Sequence, residues 1–185
     1  MPANKVLAIV GMCGAGKSIA ASVFVKSGWE KVHFGQITME EINRRGLPTN
    51  EQNERLVREE LRKIHGSDAY AKLLLPKIKN FLLSGNVVLD GLYSFSEYQL
   101  LKTELGDKML VMAIVSDRNK RYARLLSRNT RPLSNSEAES RDYAEIINLE
   151  KGGPIAIADF FILNNSSLDE FENNISSFIR IISEQ

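Results

Sequence analysis

Short apolar runs alternate with longer amphipathic stretches along this chain. The apolar runs cover residues 6–10, 32–34, 87–90, 109–115 and 160–163. All but the second are continuous rather than alternating, which is typical of parallel strands buried on both faces of a sheet. With amphipathic stretches between them they give the β–α–β rhythm of an α/β fold. The pattern therefore predicts a parallel sheet covered by helices.

The interval between the second and third predicted strands, residues 35–85, holds three helical patterns. They cover residues 38–45, 50–64 and 67–83, and glycine-containing breaks separate them. A last helix places one apolar stripe against the core, formed by Leu168, Phe171, Ile175, Phe178, Ile179 and Ile182. No repeat or linker divides the sequence, so we expect a single domain over residues 1–185.

Composition narrows the possible partners. The 185 residues include 24 Lys and Arg against 23 Asp and Glu, a near-neutral balance that predicts neither a nucleic-acid nor a membrane-surface binder. The one cysteine, Cys13, excludes an internal disulfide and suits a reducing compartment. Neither a signal sequence nor a membrane span is recognisable. We expect a cytoplasmic protein, and its oligomeric state has no marker in the sequence.

The chemistry begins directly after the first predicted strand, where residues 11–18 read Gly-Met-Cys-Gly-Ala-Gly-Lys-Ser. This stretch fits G-x-x-x-x-G-K-[ST], a phosphate-binding loop. Its glycines allow the backbone amides to approach phosphate oxygens, and the following helix adds its positive end. An ordinary glycine turn is the alternative interpretation. A preceding strand, a following helix and a full match to the motif disfavour it.

The motif gives each residue of the loop an expected role. Lys17 would reach the β- and γ-phosphates of a nucleoside triphosphate, and Ser18 would bind Mg²⁺. Cys13 occupies a position that tolerates most side chains, so we interpret it as a filler. ATP and Mg²⁺ are therefore the expected cofactors, and the predicted nucleotide-binding residues of the loop are Gly11, Gly14, Ala15, Gly16, Lys17, Ser18 and Ile19.

Asp90 ends the third predicted strand, at the sheet edge where open α/β folds bind ligands. A carboxylate there can hold Mg²⁺ through water, together with Ser18. The alternative is a turn aspartate before Gly91. Residues 90–93 and 119–122 lack the D-x-x-G and N-K-x-D patterns of switch GTPases, and Asp90 lacks the following acid that motor-type ATPases usually carry.

A basic helical pattern follows the fourth predicted strand. Arg121, Arg124 and Arg128 fall within an arc of roughly 60°, and Arg131 comes soon after. Such arginines stabilise charge on a transferring phosphoryl group when they close from a lid. The alternative is a solvated face paired with the carboxylates of Glu137, Glu139 and Glu145. The predicted catalytic residues are Lys17, Asp90, Arg124, Arg128 and Arg131, with Ser18 and Asp90 as the metal ligands.

The whole pattern resembles the P-loop nucleotide kinases, the superfamily of adenylate kinase and dephospho-CoA kinase. The resemblance covers nearly the whole chain and rests on residues 11–18, 34–53, 66–72, 87–97, the arginine helix and 157–171. It implies a three-layer α/β P-loop NTPase fold with a five-stranded parallel sheet of order 2-3-1-4-5. It also implies an acceptor-binding helical insert at 35–85, a lid region at 117–150, and Asn164 and Asn165 beside the adenine.

Two positions depart from that family. Relatives commonly carry an arginine where this chain has Met39, and another where it has Tyr93, and those arginines grip the acceptor phosphate. Neither replacement is conservative. Arg44, Arg45 or Arg58 in the insert is a possible substitute. The charged residues at 58–60 and 62–63 are otherwise expected to form a solvated helix face.

The leading hypothesis is an ATP-dependent transfer of the γ-phosphoryl group to a small nucleotide-like acceptor, of the nucleoside monophosphate or dephospho-CoA type. One alternative is an ATP-binding regulatory or partner-binding protein with a degenerate acceptor site. Another is a slow ATPase acting on a macromolecular assembly.

Overall fold

A computed structural model describes residues 4–130 and 132–183. At its centre lies a five-stranded, all-parallel sheet of order β2-β3-β1-β4-β5, so the predicted fold class and strand order are confirmed. The strands are β1 (Val6–Val10), β2 (Glu30–His33), β3 (Val87–Asp90), β4 (Met109–Val115) and β5 (Phe160–Leu163).

Helices connect the strands and cover both faces of the sheet. They are α1 (Lys17–Lys26), α2 (Gly35–Arg44), α3 (Glu51–His65), α4 (Ala69–Ser84), α5 (Phe95–Leu105), α6 (Arg118–Leu126), α7 (Asn135–Leu149), α8 (Gly152–Ala156) and α9 (Leu168–Ser183). Several boundaries differ from the sequence prediction by one to three residues, and two of the differences have a clear cause. Strand β2 begins at Glu30, because Glu30 and Lys31 pair with β3 on this edge strand despite their polarity. Helix α2 begins at Gly35, three residues early, because Phe34 already has helical dihedrals.

The continuous apolar run of β1 is explained by two separate cores. Val6, Ala8 and Val10 face the helices that follow β2 and β3, whereas Leu7 and Ile9 face α1 and α9. All five side chains are fully buried. The predicted stripe of α9 is buried as expected, except that its first member, Leu168, is exposed. Among the described residues no helix is both long and apolar enough to cross a membrane.

Because all strands run in parallel, their carboxyl ends meet at one edge of the sheet. The loop after β1, Asp90 at the end of β3 and Asn164 after β5 therefore come together there. The fold thus gathers at one edge the residues that the sequence marked for phosphate chemistry.

A buried carboxylate, that of Glu97, lies in the first turn of α5 at the same edge of the sheet. The side chain of Glu97 accepts from the N–H groups of Tyr93 (2.9 Å) and Ser94 (3.1 Å), and the Glu97 N–H donates to the Ser94 hydroxyl (3.1 Å). Glu97 is fully buried. Burial raises the pKa of Glu97 to about 7, against the opposing influence of Arg62 and the two N–H donors.

We predict that Glu97 makes folding stability depend on pH. Its pKa is higher in the folded than in the unfolded chain, so the stability that it contributes is fully present below about pH 4.5 and is lost as pH rises towards 7. Glu97→Gln keeps an acceptor for the two N–H groups and removes the titration. Thermal unfolding from pH 5 to 7.5 should show the wild type losing on the order of 2 kcal/mol relative to the variant.

The matched control is Glu170→Gln, at an exposed carboxylate in the first turn of α9. It should follow the wild-type pH dependence. Parallel curves for the wild type and Glu97→Gln would contradict the prediction.

Candidate active site

The loop at residues 11–18 is held by two hydrogen bonds from distant parts of the chain. The Arg121 guanidinium donates to the Cys13 carbonyl at 2.9 Å, and the Asn164 amide donates to the Ala15 carbonyl at 2.8 Å. The peptide bonds are trans, so the N–H that follows each carbonyl points the opposite way. The N–H groups of Gly14 and Gly16 are therefore turned away from Arg121 and Asn164, and both glycines line a cleft.

Glycine at position 16 serves packing as well as backbone geometry. Its φ is 106°, in the left-handed region, and a Cβ there would lie 2.3 Å from the side-chain nitrogen of Asn164. Gly14 similarly approaches the backbone of Arg121 on α6. The loop glycines thus allow the two anchors to come close enough to bond.

Lys17 folds back over its own loop. Its ammonium donates to the carbonyls of Gly11 (2.8 Å) and Met12 (3.0 Å). Burial, followed by the positive charge of Lys151, lowers the pKa of Lys17 to about 7. Lys17 therefore lies where one more anionic partner would stabilise its charged form.

Asp90 is only 2% exposed and has two basic neighbours on the adjacent strand. Its Oδ2 lies 3.1 Å from Lys31 Nζ and 3.3 Å from His33 Nδ1. Burial acts to raise the pKa of Asp90, but His33 and Lys31 outweigh it and hold the pKa below its usual value. The sequence analysis missed these partners, although their spacing of two on an edge strand places them on one face.

The predicted arginine cluster is divided between structural and cleft positions. Arg121 is buried and bonds Asp142 of α7 through both of its terminal nitrogens, at 3.0 and 2.6 Å. It therefore joins α6, α7 and the loop, and the expectation that it faces a phosphate is wrong. Arg124 lines the cleft and donates to the Asn164 carbonyl at 2.9 Å. Arg128 also lines the cleft, and Arg131 lies outside the described residues.

One cleft of about 1440 Å³ joins the loop to the helices α2–α4 and α7. Most of the predicted site residues line it: Gly14, Gly16, Lys17, Ser18, Ile19, Asp90, Arg124, Arg128 and Asn164. Gly11 and Ala15 do not. They support the loop from behind, where Gly11 packs against the Ile114 backbone and the Ala15 carbonyl binds Asn164.

The helical insert brings its own cations to the cleft. Arg44 and Arg45 do not line it, and both pair with Glu41 on the surface of α2. Arg58 lines it, and so do Arg55, which the sequence analysis did not consider, and Arg62, which was expected on a solvated helix face. These three share one face of α3, with spacings of three and four residues.

A buried ion pair closes the cleft on the side of α7. Lys151 Nζ lies 2.6 Å from Glu145 Oε2, and Arg141 Nε lies 3.2 Å from Glu145 Oε1. Burial would raise the pKa of Glu145, but Lys151 and Arg141 outweigh it and lower that pKa to about 2. Glu145 was considered as a partner for the arginines of α6, and its partners are instead on α7 and just after it.

Comparison with known proteins identifies the family. A UPF0200 protein of Thermococcus sibiricus is 35% identical over 174 residues, covering 92% of this chain and 91% of the relative. The chain belongs to the UPF0200 family. No family model matches it.

Solved structures with a similar fold include two kinases. Dephospho-CoA kinase from Campylobacter jejuni has a TM-score of 0.59 and 17% identity, covering 97% of both chains. Shikimate kinase from Bacteroides thetaiotaomicron has a TM-score of 0.61 and 10% identity, covering 95% of this chain and 98% of its own. TT1252 from Thermus thermophilus reaches a TM-score of 0.67 at 17% identity, covering 96% and 97%. This UPF0200 chain therefore has the fold of the P-loop kinases.

We predict that the Arg121–Asp142 pair is a main stabilising contact of the site. Arg121→Met leaves the buried Asp142 without its charge partner and should lower the free energy of unfolding by about 3–5 kcal/mol. Arg118→Met on the same helix breaks an exposed pair with Glu139 and should cost less than about 1 kcal/mol. Urea unfolding followed by fluorescence and circular dichroism measures both, and equal losses would show that Arg121 has no special structural role.

Proposed function

We propose that this protein is an ATP-dependent phosphotransferase that moves the γ-phosphoryl group to a small nucleotide-like acceptor. The observation that carries the proposal is the orientation of the loop. With the Cys13 and Ala15 carbonyls bound on one side, the amides of Gly14 and Gly16 are presented on the other, at the N-terminus of α1. That arrangement suits a polyphosphate.

The remaining nucleotide contacts follow from the residues around this loop. Lys17 exchanges its two loop carbonyls for β- and γ-phosphate oxygens, which are stronger partners for an ammonium. Asn164 positions the loop, because its amide is already bonded to Ala15. Ile19 and Arg124 line the neighbouring wall, where the nucleoside would lie.

The described residues fit Mg²⁺ in the way that kinases use it. They include no cluster of three or more acidic, histidine or cysteine side chains, which suits a cation held mainly by substrate phosphates and water. Ser18 supplies a hydroxyl in the cleft, and Asp90 supplies a carboxylate that contacts Lys31 and His33 through Oδ2 and would act on the cation through water. When bound, the cation neutralises charge on the phosphates.

We place the acceptor in the part of the cleft between the helical insert, α2–α4, and strand β3. The cleft there carries Arg55, Arg58 and Arg62 of α3, and the guanidinium of Arg62 lies 5.0 Å above the ring of Tyr70. Glu59 and Glu54 on the same helix pair with Arg55 and Arg58. Guanidinium groups on this wall can nevertheless donate to a phosphate, which favours an acceptor of the nucleoside monophosphate or dephospho-CoA type. Catalysis is then a matter of positioning and charge neutralisation, with Arg124, Arg128 and Arg131 as the candidates to cover the transferring group.

We predict that Lys17→Ala abolishes turnover and leaves the fold intact. An acceptor screen by coupled ADP release, over nucleoside monophosphates, nucleosides and dephospho-CoA, should identify a substrate for the wild type. The variant should then lose about 10³-fold or more in rate. Lys26→Ala, at an exposed lysine at the other end of α1, is the matched control and should keep wild-type rates. Full activity in Lys17→Ala would refute the assignment.

The same screen tests a second candidate function, an ATP-binding regulatory protein. Met39 and Tyr93 favour it, because both line the acceptor side of the cleft without contributing positive charge. Tight binding of ATP with no transfer to any acceptor would support the regulatory function over the phosphotransferase.

A further inference from the structure

Lys151 is a buried cation that the proposed reaction has not yet used. It follows α7 directly, lines the cleft and is only 1% exposed. Lysine is almost never buried so completely without a partner. Its partner is Glu145, at 2.6 Å, and a lysine ammonium has three N–H groups to donate. Lys151 therefore has donor capacity beyond its ion pair.

The ring of Tyr93 fixes where this ammonium lies. Lys151 Nζ is 5.2 Å from the centre of that ring. The Tyr93 hydroxyl in turn packs against Gly91, at 2.9 Å from the point where a Cβ on Gly91 would sit. The ring thus lies over the turn that follows Asp90, and it holds Lys151 at the same turn.

The charges around Lys151 leave it able to bind an anion. Glu145 accepts from Arg141 as well as from Lys151, so its carboxylate is not reserved for Lys151. Lys17 and Lys151 line the same cleft, and the positive charge of Lys151 contributes to the lowered pKa of Lys17. A phosphoryl group between the loop and the Asp90 turn would offset the positive charge of both lysines.

We propose that Lys151 is a catalytic residue that binds an oxygen of the phosphoryl group in transit, while Glu145 and Tyr93 hold its ammonium in position. This inference rests on the proposed phosphotransferase function. In the transfer, an acceptor oxygen bonds to the γ-phosphorus as the bond to the β–γ bridging oxygen breaks, and that electron pair leaves on ADP. A phosphate acceptor carries no proton at this oxygen, and a hydroxyl acceptor loses its proton to water. Lys151 stays protonated throughout and offsets the charge on the γ-phosphoryl oxygens.

The test compares a nucleotide without a γ-phosphoryl group with one that carries it on a non-hydrolysable N–H bridge. Titration calorimetry with Mg²⁺ gives the dissociation constants of ADP and of the non-hydrolysable analogue AMP-PNP. Lys151→Met should leave ADP affinity within about twofold and weaken AMP-PNP by about tenfold, because only AMP-PNP reaches the ammonium. Lys151→Arg keeps the charge and should restore most of the AMP-PNP preference.

A double variant controls for a loss of stability in the single variant Lys151→Met. Lys151→Met with Glu145→Gln removes both charges of the buried pair, which costs less stability than leaving one alone. It should lose the AMP-PNP preference just as the single variant does. A wild-type preference for AMP-PNP that survives in both variants would overturn the role of Lys151 and leave the phosphotransferase proposal standing. A wild type that binds neither nucleotide would overturn both proposals.

Discussion

Two long-range hydrogen bonds determine what the loop at residues 11–18 presents to the cleft. Arg121 and Asn164 bind the carbonyls of Cys13 and Ala15 across 108 and 149 residues of chain. A planar trans peptide couples the direction of each carbonyl to that of the next amide, so fixing the carbonyls also fixes the N–H groups. The loop therefore acquires its binding geometry only when β5 and α6 are in place. The proposed phosphate site therefore depends on the assembled sheet as well as on the motif.

The cleft is organised in advance by its own ion pairs. Asp90 is flanked by Lys31 and His33, and Glu145 by Lys151 and Arg141. Each buried carboxylate holds basic side chains beside it, so their positions are set without a ligand. Lys17 and the arginines of α3 add further positive charge to the same walls. This distribution of charge is the physical basis on which we propose a polyphosphate and an anionic acceptor as the ligands of the cleft.

The sequence predicted the features that short stretches of residues determine by themselves. Apolar runs predicted the strands, and the resemblance to the P-loop nucleotide kinases predicted their order. An uninterrupted motif predicted the loop and, with Asp90, the edge of the sheet that carries the candidate site. Periodicity places a residue on a helix face but does not say what lies opposite that face. Arg121 was therefore assigned to a phosphate, although Asp142 faces it. For the same reason Arg62 was assigned to a solvated surface, and Lys151, which has no local motif, was missed altogether.

The orientation of the loop amides is tested most directly by NMR. In ¹⁵N-labelled protein, stepwise addition of Mg²⁺ and AMP-PNP should shift the amide resonances of Gly14, Gly16, Lys17 and Ser18 along saturable curves with one common dissociation constant. Resonances of Leu83 and Ser84, at the end of α4 beside the opposite edge of the sheet, should hardly move. Loop resonances that stay unchanged at millimolar nucleotide would contradict the assignment of this loop as a phosphate site.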